Sequence, residues 1–465
     1  MEQRFDAIVI GAGQAGPSLA GRLTSAGMSV ALIERKLIGG TCVNTGCTPT
    51  KTLIASAKAA HEARRAGEYG VNIQGAVAVD MRAVRARKDA VVAKSRTGLT
   101  GWLQGMAGCT ILHGHARFAG ADSVRVGDRL LKSGRIFINV GARPRIPSMP
   151  GLDAVPFLTS SSILELEQIP EHLIVVGGSY IGLEFAQMFR RFGSQVTVIE
   201  MAPRLVPKED EDVSEAIRVI FESERIAIRT DAECIRFHRR GQEIVAEARC
   251  TSGAPEIAGS HVLLAVGRNP NTDDLSLEQA GIAMGENGYI NVDDELRTNV
   301  PGIWALGDCN GRGGFTHTAY NDFEIVADNL LNNGRVAGLG FRRVSDRIAC
   351  YALFIDPPLG RAGMTEAQAR AAGRKIRVGT RPMTRVSRAV EKGETQGFMK
   401  IIVDGESREI LGASILGVGG DEAIHGVLDV MSAKAPYTTL QHTVHIHPTV
   451  SELIPTVLGE LGPIS

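Results

Sequence analysis

The chain has 465 residues, with 51 Lys and Arg residues and 51 Asp and Glu residues, so its formal net charge at pH 7 is zero. The length suggests about three domains of roughly 150 residues each. The charge balance argues against a nucleic-acid partner, because a general nucleic-acid binder needs a basic surplus to displace counterions from phosphates. The 54 glycines lie in short motifs and not in low-complexity tracts, which favours an enzyme whose backbone approaches a ligand closely.

The seven cysteines are too few, and odd in number, for a disulfide-stabilised secreted scaffold. No apolar run approaches the length of about 18 residues that spans a bilayer, so we expect no membrane partner. The N-terminal sequence MEQRFDAIVIGAG carries Glu2 and Asp6 and continues directly into a folded motif, which leaves no room for a signal peptide. We therefore expect a cytoplasmic protein.

The first motif is a strand, a glycine-rich loop and a helix at the N-terminus. Residues 5–10 (FDAIVI) predict a strand, residues 17–27 predict an amphipathic helix, and a second strand over 29–33 ends at Glu34. This arrangement predicts dinucleotide binding, with phosphates at the helix N-terminus and a ribose hydroxyl on the acid. The less specific alternative is a plain strand–helix turn. The loop GAGQAG supplies Gly11, Gly13 and Gly16.

The same unit recurs in the middle of the chain. A strand over 172–176 precedes GGSYIG, a helix over 183–193 and a strand over 195–199. Glu34 lies 23 residues after Gly11, and Glu200 lies 23 residues after Gly177. The second motif keeps Gly177 and Gly182 but has Ser179 where the second glycine is usual, so its backbone is expected to stand slightly further from the phosphates.

Each unit closes with a similar return strand, IFINVGARP at 136–144 and VLLAVGRNP at 262–270, the latter containing the candidate cofactor-binding residue Gly267. This internal duplication predicts two bound dinucleotides, one flavin and one nicotinamide. A third apolar strand over 298–308 ends in Asp308, an acid that could hydrogen-bond the ribityl chain of a flavin. A strand-ending turn is the simpler alternative. From about residue 346, strand and helix patterns without a nucleotide motif predict an α+β unit, with helices near 364–372 and 420–433.

Two cysteines, Cys42 and Cys47, lie five residues apart just before an apolar-periodic helix (LIASAKAAHEARR). On a distorted first turn they can approach within disulfide distance, and a helix N-terminus favours a reactive thiolate. A zinc site and a pair of inert structural cysteines remain as alternatives, but no second closely spaced Cys or Cys/His pair supports zinc. We therefore predict no resident metal. The other cysteines are single: Cys109, Cys234, Cys250, Cys309 and Cys350.

Near the C-terminus the sequence HTVHIHPTVSE places three histidines close to an acid. Thiolate chemistry needs a base that takes and returns a proton, and a histidine oriented by a carboxylate is the usual arrangement. His445 and His447 would share one face of a strand, so either is a candidate base or metal ligand. Their spacing alone does not decide between them.

Together these motifs resemble the class I pyridine nucleotide–disulfide oxidoreductases, the family of dihydrolipoamide dehydrogenase, glutathione reductase and mercuric reductase. The resemblance covers essentially the whole chain, through GAGQAG, GGTCVNTGCTPTK, GGSYIGLE, TNVPGIWALGD and HIHPTVSE in the family's order. It implies an α/β fold with two Rossmann-like dinucleotide-binding domains and a C-terminal α+β dimerisation domain. The implied domains are an FAD domain at 1–150 continued at 271–345, an NAD(P) domain at 151–270 and a dimerisation domain at 346–465.

The resemblance also implies roles for the redox residues. Cys47 would be the sulfur next to the flavin, and Cys42 would be the interchange thiol that attacks the substrate. The family's acid/base is the histidine directly before Pro-Thr, which favours His447 over His445. His447 would be held by Glu452 and would reach the cysteines of the other subunit, so the active site would require a homodimer.

The remaining implied positions concern the two cofactors, FAD and NADH or NADPH. Lys51 would lie near the flavin N5, paired with Glu184, and Tyr180 would be the gate over the nicotinamide pocket. Independently of the resemblance, Glu200 ends the second module's strand, where it can accept hydrogen bonds from the ribose hydroxyls of NAD, and the 2′-phosphate of NADP would face its carboxylate. This repulsion predicts a preference for NADH, although Arg190, Arg191 and Arg204 could offset it. The residues implied at FAD are Glu34, Thr41 near the pyrophosphate, Asp308 and Thr316 near the flavin ring.

The implied reaction takes electrons from the nicotinamide through the flavin to a Cys42–Cys47 disulfide, and the dithiol then reduces an acceptor. Within the family, GCTPTKTL, DPPLGRAGMTE and GVGGDEAIHGVLDVM look closest to the mercuric-reductase-like flavoproteins, including bacterial copper-reducing ones linked to oxidant resistance. Dihydrolipoamide dehydrogenase is the alternative within the family. A non-catalytic nucleotide-binding redox sensor, and an NADH oxidase that uses oxygen directly, are alternatives of other classes.

The acceptor is predicted from what the sequence lacks. Mercuric reductases usually end in a vicinal cysteine pair, whereas the last cysteine of this sequence is Cys350, and no metal-binding domain precedes the first motif. We therefore expect weak mercuric reductase activity at best. The expected acceptor is a small disulfide, a quinone-like oxidant or Cu(II), since thiolates favour soft metal ions.

Overall fold

The computed structural model describes residues 2–249, 255–332 and 340–464. The chain divides into two compact units, each assembled from three stretches of sequence. Unit 1 consists of Met1–Thr52, Ala83–Arg145 and Gly267–Arg347, and unit 2 consists of Leu53–Arg82, Ile146–Val266 and Ile348–Ser465. Cys250 lies outside the described residues.

Unit 1 is built on a five-stranded parallel sheet with apolar strands. The strands of a parallel sheet are apolar along their whole length because both faces of the sheet are covered. Ile8 and Ile10 point to one face, toward Phe118 and Leu131 of a second sheet. Ala7 and Val9 point to the other face, where they pack against helices. In spatial order the strands are Ile303–Ala305, Ile136–Ile138, Ala7–Ile10, Val30–Glu34 and Cys109–His113.

Two smaller sheets and several helices complete unit 1. One sheet has the spatial order Glu2–Arg4, Arg129–Lys132, Ser123–Val126 and Ala116–Gly120, with antiparallel pairing except for the first pair. The other pairs Ala142–Pro144 with Arg268–Pro270. The α-helices are Ala15–Ser25, Gly40–Thr45, the start of Cys47–Arg65, most of Met81–Gln104 and Thr316–Leu331, with 3₁₀ turns at Leu277–Ala280, Gly307–Asn310 and Val344–Asp346.

Unit 2 repeats the parallel sheet and adds two antiparallel ones. The parallel sheet has the order Leu158–Thr159, His261–Leu264, His172–Val176, Gln195–Ile199 and Ala227–Arg229. A three-stranded sheet contains Glu233–Arg240, Glu243–Arg249 and Glu256–Gly259. The C-terminal sheet has the order Cys350–Leu353, Leu359–Gly363, Ile410–Leu416, Phe398–Asp404 and Ile376–Pro382.

Helices cover the sheets of unit 2. The helix Tyr180–Phe192 buries ten of its thirteen residues, and Gly420–Ser432 packs its apolar face into the core of the C-terminal sheet. The α-helices are Tyr180–Phe192, Glu211–Ser223, Glu366–Ala371, Ser387–Glu391, Gly420–Ser432, Thr438–Gln441 and Ile454–Gly459. The 3₁₀ turns are Ala66–Tyr69, Leu152–Ala154, Ser162–Glu165, Met383–Arg385 and Ser451–Leu453.

The predicted fold class is confirmed: two nucleotide-binding α/β modules are followed by an α+β region. Each predicted return strand is in fact two short strands that belong to different sheets. The first halves join the two parallel sheets, and the second halves, Ala142–Pro144 and Arg268–Pro270, pair with each other. The four-segment domain assignment stays a prediction. No helix within the described residues is long and apolar enough to cross a membrane.

Candidate active site

The glycine loop of the first module, defined as residues 7–34, lies tightly against the return strand. Gly11 has a φ of +106°, and a Cβ at this position would lie 2.2 Å from the carbonyl oxygen of Asn139. A Cβ on Gly16 would lie 2.1 Å from the oxygen of Gly11. Only glycine avoids both contacts, so the loop brings bare backbone to the start of the helix Ala15–Ser25.

Glu34 ends the second strand of this module with its carboxylate held by the loop. Its Oε2 accepts a hydrogen bond from the backbone N–H of Ala12 at 2.9 Å, and its Oε1 accepts one from the backbone N–H of Lys36 at 2.7 Å. Each carboxylate oxygen has a second lone pair that can accept from a ribose hydroxyl. The side chain is therefore oriented before any nucleotide binds.

Asp308 lies in the 3₁₀ turn Gly307–Asn310, at the carboxyl end of the strand Ile303–Ala305. Burial raises the pKa of its carboxyl group, and the nearby charge of Arg268, with Nε 3.6 Å from Oδ2, opposes that rise. The first turn of the helix Ala15–Ser25 reads AGPS, without an acid to compete with a phosphate. A bare glycine loop, an oriented carboxylate at Glu34 and a partly buried acid at Asp308 together fit an adenine dinucleotide such as FAD.

The second module, defined as residues 172–200, repeats this geometry. Gly177 has a φ of +112°, with its Cβ position 2.4 Å from the carbonyl oxygen of Ala265, and a Cβ on Gly182 would lie 1.9 Å from the oxygen of Gly177. Glu200 accepts hydrogen bonds from the N–H groups of Gly178 at 2.6 Å and of Ala202 at 2.8 Å. This close-packed glycine loop and this oriented carboxylate fit a second dinucleotide.

The remaining positions of the second motif follow from the same loop. Ser179 has extended backbone, with a φ of −114° and a ψ of −169°, so a side chain fits there without strain. Tyr180 begins the helix Tyr180–Phe192, and burial raises its pKa to about 12, which keeps the phenol protonated. Gly267 has a φ of +107° and open space around its Cβ position.

The two candidate redox cysteines lie on separate helices, which differs from the single distorted turn expected from the sequence. Cys42 is within the short helix Gly40–Thr45, and Cys47 is the first residue of Cys47–Arg65, which begins earlier than the predicted apolar helix. Thr41 lies exposed on the short helix. Asn44 stabilises this turn by donating to the carbonyl oxygens of Ile38 and Gly40 at 3.0 and 2.9 Å.

The two sulfur atoms interact, and both are free thiols in this structure. A hydrogen bond with Cys47, burial, and the charge of Cys47 all raise the pKa of Cys42, whereas a hydrogen bond with Thr316 lowers it. Cys47 is exposed, and its Sγ lies 3.1 Å from Oγ1 of Thr316, the first residue of the helix Thr316–Leu331. Cys42 therefore keeps its proton while Cys47 is ionised, unless a base removes it.

Lys51 and Glu184 belong to different units, so their predicted pairing stays a prediction. Lys51 is four residues after Cys47 on the same helix, which places both on one helix face. Glu184 is buried, and its carboxylate accepts a hydrogen bond from the backbone N–H of Phe354 at 3.0 Å.

The C-terminal histidine motif brings His447 and Glu452 together. Nδ1 of His447 lies 2.8 Å from Oε2 of Glu452, and the imidazole is 73% exposed whereas the carboxylate side chain is 14% exposed. An N–H at Nδ1 that donates to the carboxylate leaves Nε2 as the proton acceptor. His445 instead faces the carbonyl oxygen of Thr443 at 3.1 Å. Of the two candidate histidines, His447 is thus the one that contacts a carboxylate here.

Three residues around the first module were not singled out from the sequence. The amide of Asn139 donates to the carbonyl oxygen of Gly11 at 3.2 Å, and the buried carboxylate of Asp322 accepts from the N–H of Gly307 at 2.8 Å. Arg268 lies beside Asp308. The repeated VG in the return strands was the available signal for Asn139 and Arg268, but no sequence signal marked Asp322. Among the described residues, no group of three or more His, Cys, Asp or Glu side chains could hold a metal ion.

Comparisons with known proteins identify the family of this chain. The family model "Pyridine nucleotide-disulphide oxidoreductase" matches residues 5–322, and the model of that family's dimerisation domain matches residues 350–458. The chain is 38% identical to the probable pyridine nucleotide-disulfide oxidoreductase RclA of Escherichia coli K12, covering 97% of each chain. A solved structure titled as a Cu(II) complex of HOCl-induced flavoprotein disulfide reductase RclA from Escherichia coli has a TM-score of 0.88 at 36% identity, covering 98% of this chain and 99% of that chain.

Two other relatives span the same length. The chain is 34% identical to a mercuric reductase of Streptomyces lividans, covering 97% of this chain and 94% of that protein. It is 32% identical to a dihydrolipoyl dehydrogenase of Thermus scotoductus, covering 96% and 95%. The resemblance inferred from the motifs is confirmed. The chain belongs to the pyridine nucleotide–disulphide oxidoreductase family, as an FAD-dependent flavoprotein with a redox disulfide and a dimerisation domain.

Proposed function

We propose that this chain is an NADH-dependent flavoprotein reductase whose Cys42–Cys47 dithiol reduces a thiol-binding metal ion, with Cu(II) as its first acceptor. The observation that carries this proposal is the sulfur pair. Cys47 is exposed at the start of the helix Cys47–Arg65, and the partly buried Cys42 shares a hydrogen bond with it. Two adjacent sulfurs form a site that suits copper better than a hard cation. The similarity to RclA, one of whose solved structures is titled a Cu(II) complex, favours copper as a ligand of this chain as well.

FAD would lie against the first module, and its chemistry when bound is to accept a hydride from the nicotinamide and pass the electron pair to the disulfide. Glu34 and Asp308 would hold the ribose and ribityl hydroxyls, while Thr41 would face the pyrophosphate and Thr316 the flavin ring. The backbone at Gly11, Gly13 and Gly16 would receive the phosphates. The four-segment domain assignment, with FAD at 1–150 and 271–345, is part of this proposal.

Cys47 would be the sulfur that receives electrons, and Lys51, paired with Glu184, would lie close to the site of hydride transfer. Cys42 would be the sulfur that meets the acceptor. Because the Cys42 pKa is raised while Cys47 is ionised, Cys42 needs a base before it can act as a thiolate. In a homodimer, His447 of one subunit, oriented by Glu452, would remove this proton through Nε2 at the cysteines of the other.

The electrons balance with copper as acceptor. The dithiol gives one electron to each of two Cu(II) ions, which leave as Cu(I), while the S–S bond forms and two protons are released. One hydride equivalent from NADH, with one proton from solvent, then restores the two thiols. The net reaction consumes one NADH and two Cu(II) and yields NAD⁺, two Cu(I) and one proton.

The preference for NADH would rest on Glu200. A 2′-phosphate about 4 Å from this carboxylate would be repelled by about 1–4 kcal/mol. The nearby arginines are hydrogen-bonded to other groups: Arg190 donates to the carbonyl oxygen of Glu224 at 2.7 Å, and Arg191 pairs with the carboxylates of Glu224 and Asp356. Arg204 donates to backbone carbonyl oxygens at 3.3 Å. These contacts weaken the case that arginines offset the repulsion.

The stoichiometry of copper reduction tests the proposal. NADH oxidation by the purified holoenzyme with Cu(II), followed together with a Cu(I)-specific chelator, should give two Cu(I) per NADH above an enzyme-free blank. Cys42→Ser and Cys47→Ser should each abolish this activity, whereas Cys234→Ser, at another exposed cysteine, should not. Parallel assays with Hg(II), oxidised glutathione and lipoamide complete the test. A higher kcat/KM with lipoamide than with Cu(II) would move the protein to the dihydrolipoamide dehydrogenase class.

A second test concerns the base. His447→Gln should slow turnover with the acceptor by about 10²- to 10⁴-fold, while the rate of flavin reduction by NADH in stopped flow stays near the wild-type value. His445→Gln is the matched control and should leave turnover with the acceptor close to the wild-type value. Equal loss in both variants would show that the exposed segment as a whole, and not the His447–Glu452 pair, supports turnover.

A further inference from the structure

Tyr180, at the start of the helix Tyr180–Phe192, contacts a tyrosine of the C-terminal sheet within unit 2. Its ring meets the ring of Tyr351 edge-on, with centroids 5.2 Å apart and an interplanar angle of 82°. The two phenol groups also share a hydrogen bond. Tyr351 lies on the strand Cys350–Leu353, which carries none of the family motifs discussed above. Tyr180 is thus tied to a part of the chain that has no assigned role in catalysis.

The direction of this hydrogen-bond chain follows from proton counting. The hydroxyl of Tyr351 donates to Oε1 of Glu209. A phenol has a single proton, so Tyr351 can only accept from Tyr180, and the Tyr180 hydroxyl must be the donor. With Glu209 ionised, this hydrogen-bond chain runs from Tyr180 through Tyr351 and ends at the Glu209 carboxylate.

That carboxylate is fixed in the interior. Glu209 and Arg361 are each only 2% exposed, and Nε of Arg361 lies 3.8 Å from Oε2 of Glu209. Burial raises the pKa of Glu209, whereas the Arg361 charge and the Tyr351 hydrogen bond lower it. A buried residue such as Arg361 has little room to change rotamer in a close-packed interior. The Glu209 end of the hydrogen-bond chain is therefore rigid, and its hydrogen bond restrains Tyr351.

We propose that Tyr351 is a positioning residue that holds the Tyr180 phenol in its nucleotide-free orientation, so that nicotinamide entry requires this hydrogen bond to break. The inference rests on the proposed NADH-dependent function and on the role that the family resemblance implies for Tyr180, the gate over the nicotinamide pocket. The apparent affinity for the nucleotide is reduced by the fraction of molecules in which the gate is closed. Tyr351 thereby sets how tightly NADH and NAD⁺ bind without touching either.

The test is a double-mutant cycle on the oxidised holoenzyme, with NAD⁺ binding measured by titration calorimetry. Tyr351→Phe removes the hydroxyl but keeps the ring contact, and it should lower the Kd for NAD⁺ by about two- to tenfold, the effect of one net hydrogen bond. Tyr180→Phe should give a similar change. Because both variants remove the same hydrogen bond, Tyr351→Phe in the Tyr180→Phe background should change the Kd by less than about twofold. Tyr437→Phe, which removes a hydroxyl elsewhere in the C-terminal region, should leave the Kd unchanged.

Steady-state kinetics provide the second readout. Tyr351→Phe should lower the KM for NADH while kcat with the acceptor stays close to wild type, a split that a general loss of structure would not produce. An undiminished effect of Tyr351→Phe in the Tyr180→Phe background would overturn the inference, because Tyr351 would then act independently of Tyr180. An unchanged Kd in Tyr351→Phe beside a lowered Kd in Tyr180→Ala would overturn it and leave the gate intact. An unchanged Kd in Tyr180→Ala would remove the gate, and the inference with it.

Discussion

The two nucleotide-binding modules have the same backbone plan but differ in the side chains that support it. In both, the first glycine lies against a return-strand carbonyl oxygen, and the acid that ends the second strand accepts two backbone N–H hydrogen bonds. In the first module that carbonyl belongs to Asn139, whose amide also holds Gly11, whereas in the second it belongs to Ala265. The acid is buried in the first module and partly exposed in the second.

We infer that this difference reflects the two kinds of ligand proposed for the modules. The first module, with an extra side-chain hydrogen bond and a buried Glu34, suits a cofactor that stays bound through many turnovers. The second, with a plain Ala265 and a more exposed Glu200, suits a nucleotide that must leave after every hydride transfer. One duplicated backbone can therefore serve a resident and an exchanging dinucleotide through a few side chains at its rim. The predictions below test this division.

The largest expected effects come from adding a Cβ to the first glycine of each module. Gly11→Ala and Gly177→Ala would each place a methyl group within about 2.5 Å of a backbone oxygen at a positive φ, with a strain of about 1–3 kcal/mol before any clash. Gly11→Ala should yield protein that has lost most of its FAD, measured as the flavin-to-protein absorbance ratio. Gly177→Ala should keep its FAD but bind NADH at least about tenfold more weakly.

The matched control for both variants is Gly27→Ala, because Gly27 has a φ of +84° but nothing within 4 Å of its Cβ position. It should cost stability only and leave both nucleotides bound. If Gly11→Ala retained FAD while Gly177→Ala lost it, the assignment of the two modules would be reversed.

A smaller effect is expected at the acid of the second module. Glu200→Gln removes the charge that would repel a 2′-phosphate, so the ratio of kcat/KM for NADPH to that for NADH should rise by about tenfold or more. Glu211→Gln, at an exposed acid of the same unit, should leave the ratio unchanged. A wild-type enzyme with equal kcat/KM for both nucleotides would contradict the preference outright.

The smallest effect is expected from restoring the missing glycine. Ser179 has a φ of −114°, a conformation that any residue adopts, so Ser179→Gly should change the KM for NADH by less than about threefold. Ser179→Ala is the control for the hydroxyl alone. A tenfold fall in KM on Ser179→Gly only would show that the serine Cβ holds the nucleotide away from the loop.

Much of the scaffold around the two nucleotide sites was predictable because its determinants are local. The apolar strands, the glycine loops and the 23-residue spacing of Gly11 to Glu34 each lie within a single stretch of sequence. The elements observed at Ala7–Ile10, Ala15–Ser25 and Tyr180–Phe192 follow from these patterns. The Cys42–Cys47 spacing likewise predicts that the two sulfur atoms lie close together, and in the structure they share a hydrogen bond.

Other features depend on specific hydrogen bonds that hydrophobic patterns do not report, two of them between segments distant in sequence. The helix Gly40–Thr45 is poor in helix formers, with β-branched Thr41 and Val43, and it is stabilised by Asn44 hydrogen bonds to backbone carbonyl oxygens. The return strands split between sheets because their second halves pair with each other across 126 residues. The Tyr351–Glu209 hydrogen bond joins residues 142 positions apart. No local pattern reports such pairings.

The most direct test of the central claim, that electrons pass from a nicotinamide through FAD to the Cys42–Cys47 pair, is an anaerobic reductive titration of the holoenzyme. Wild-type protein should take up four electrons per FAD, two for the flavin and two for the disulfide, with a long-wavelength absorbance band at the two-electron stage from the Cys47 thiolate. Cys42→Ser should take up only two. A wild-type enzyme that stops at two electrons per FAD would contradict the account.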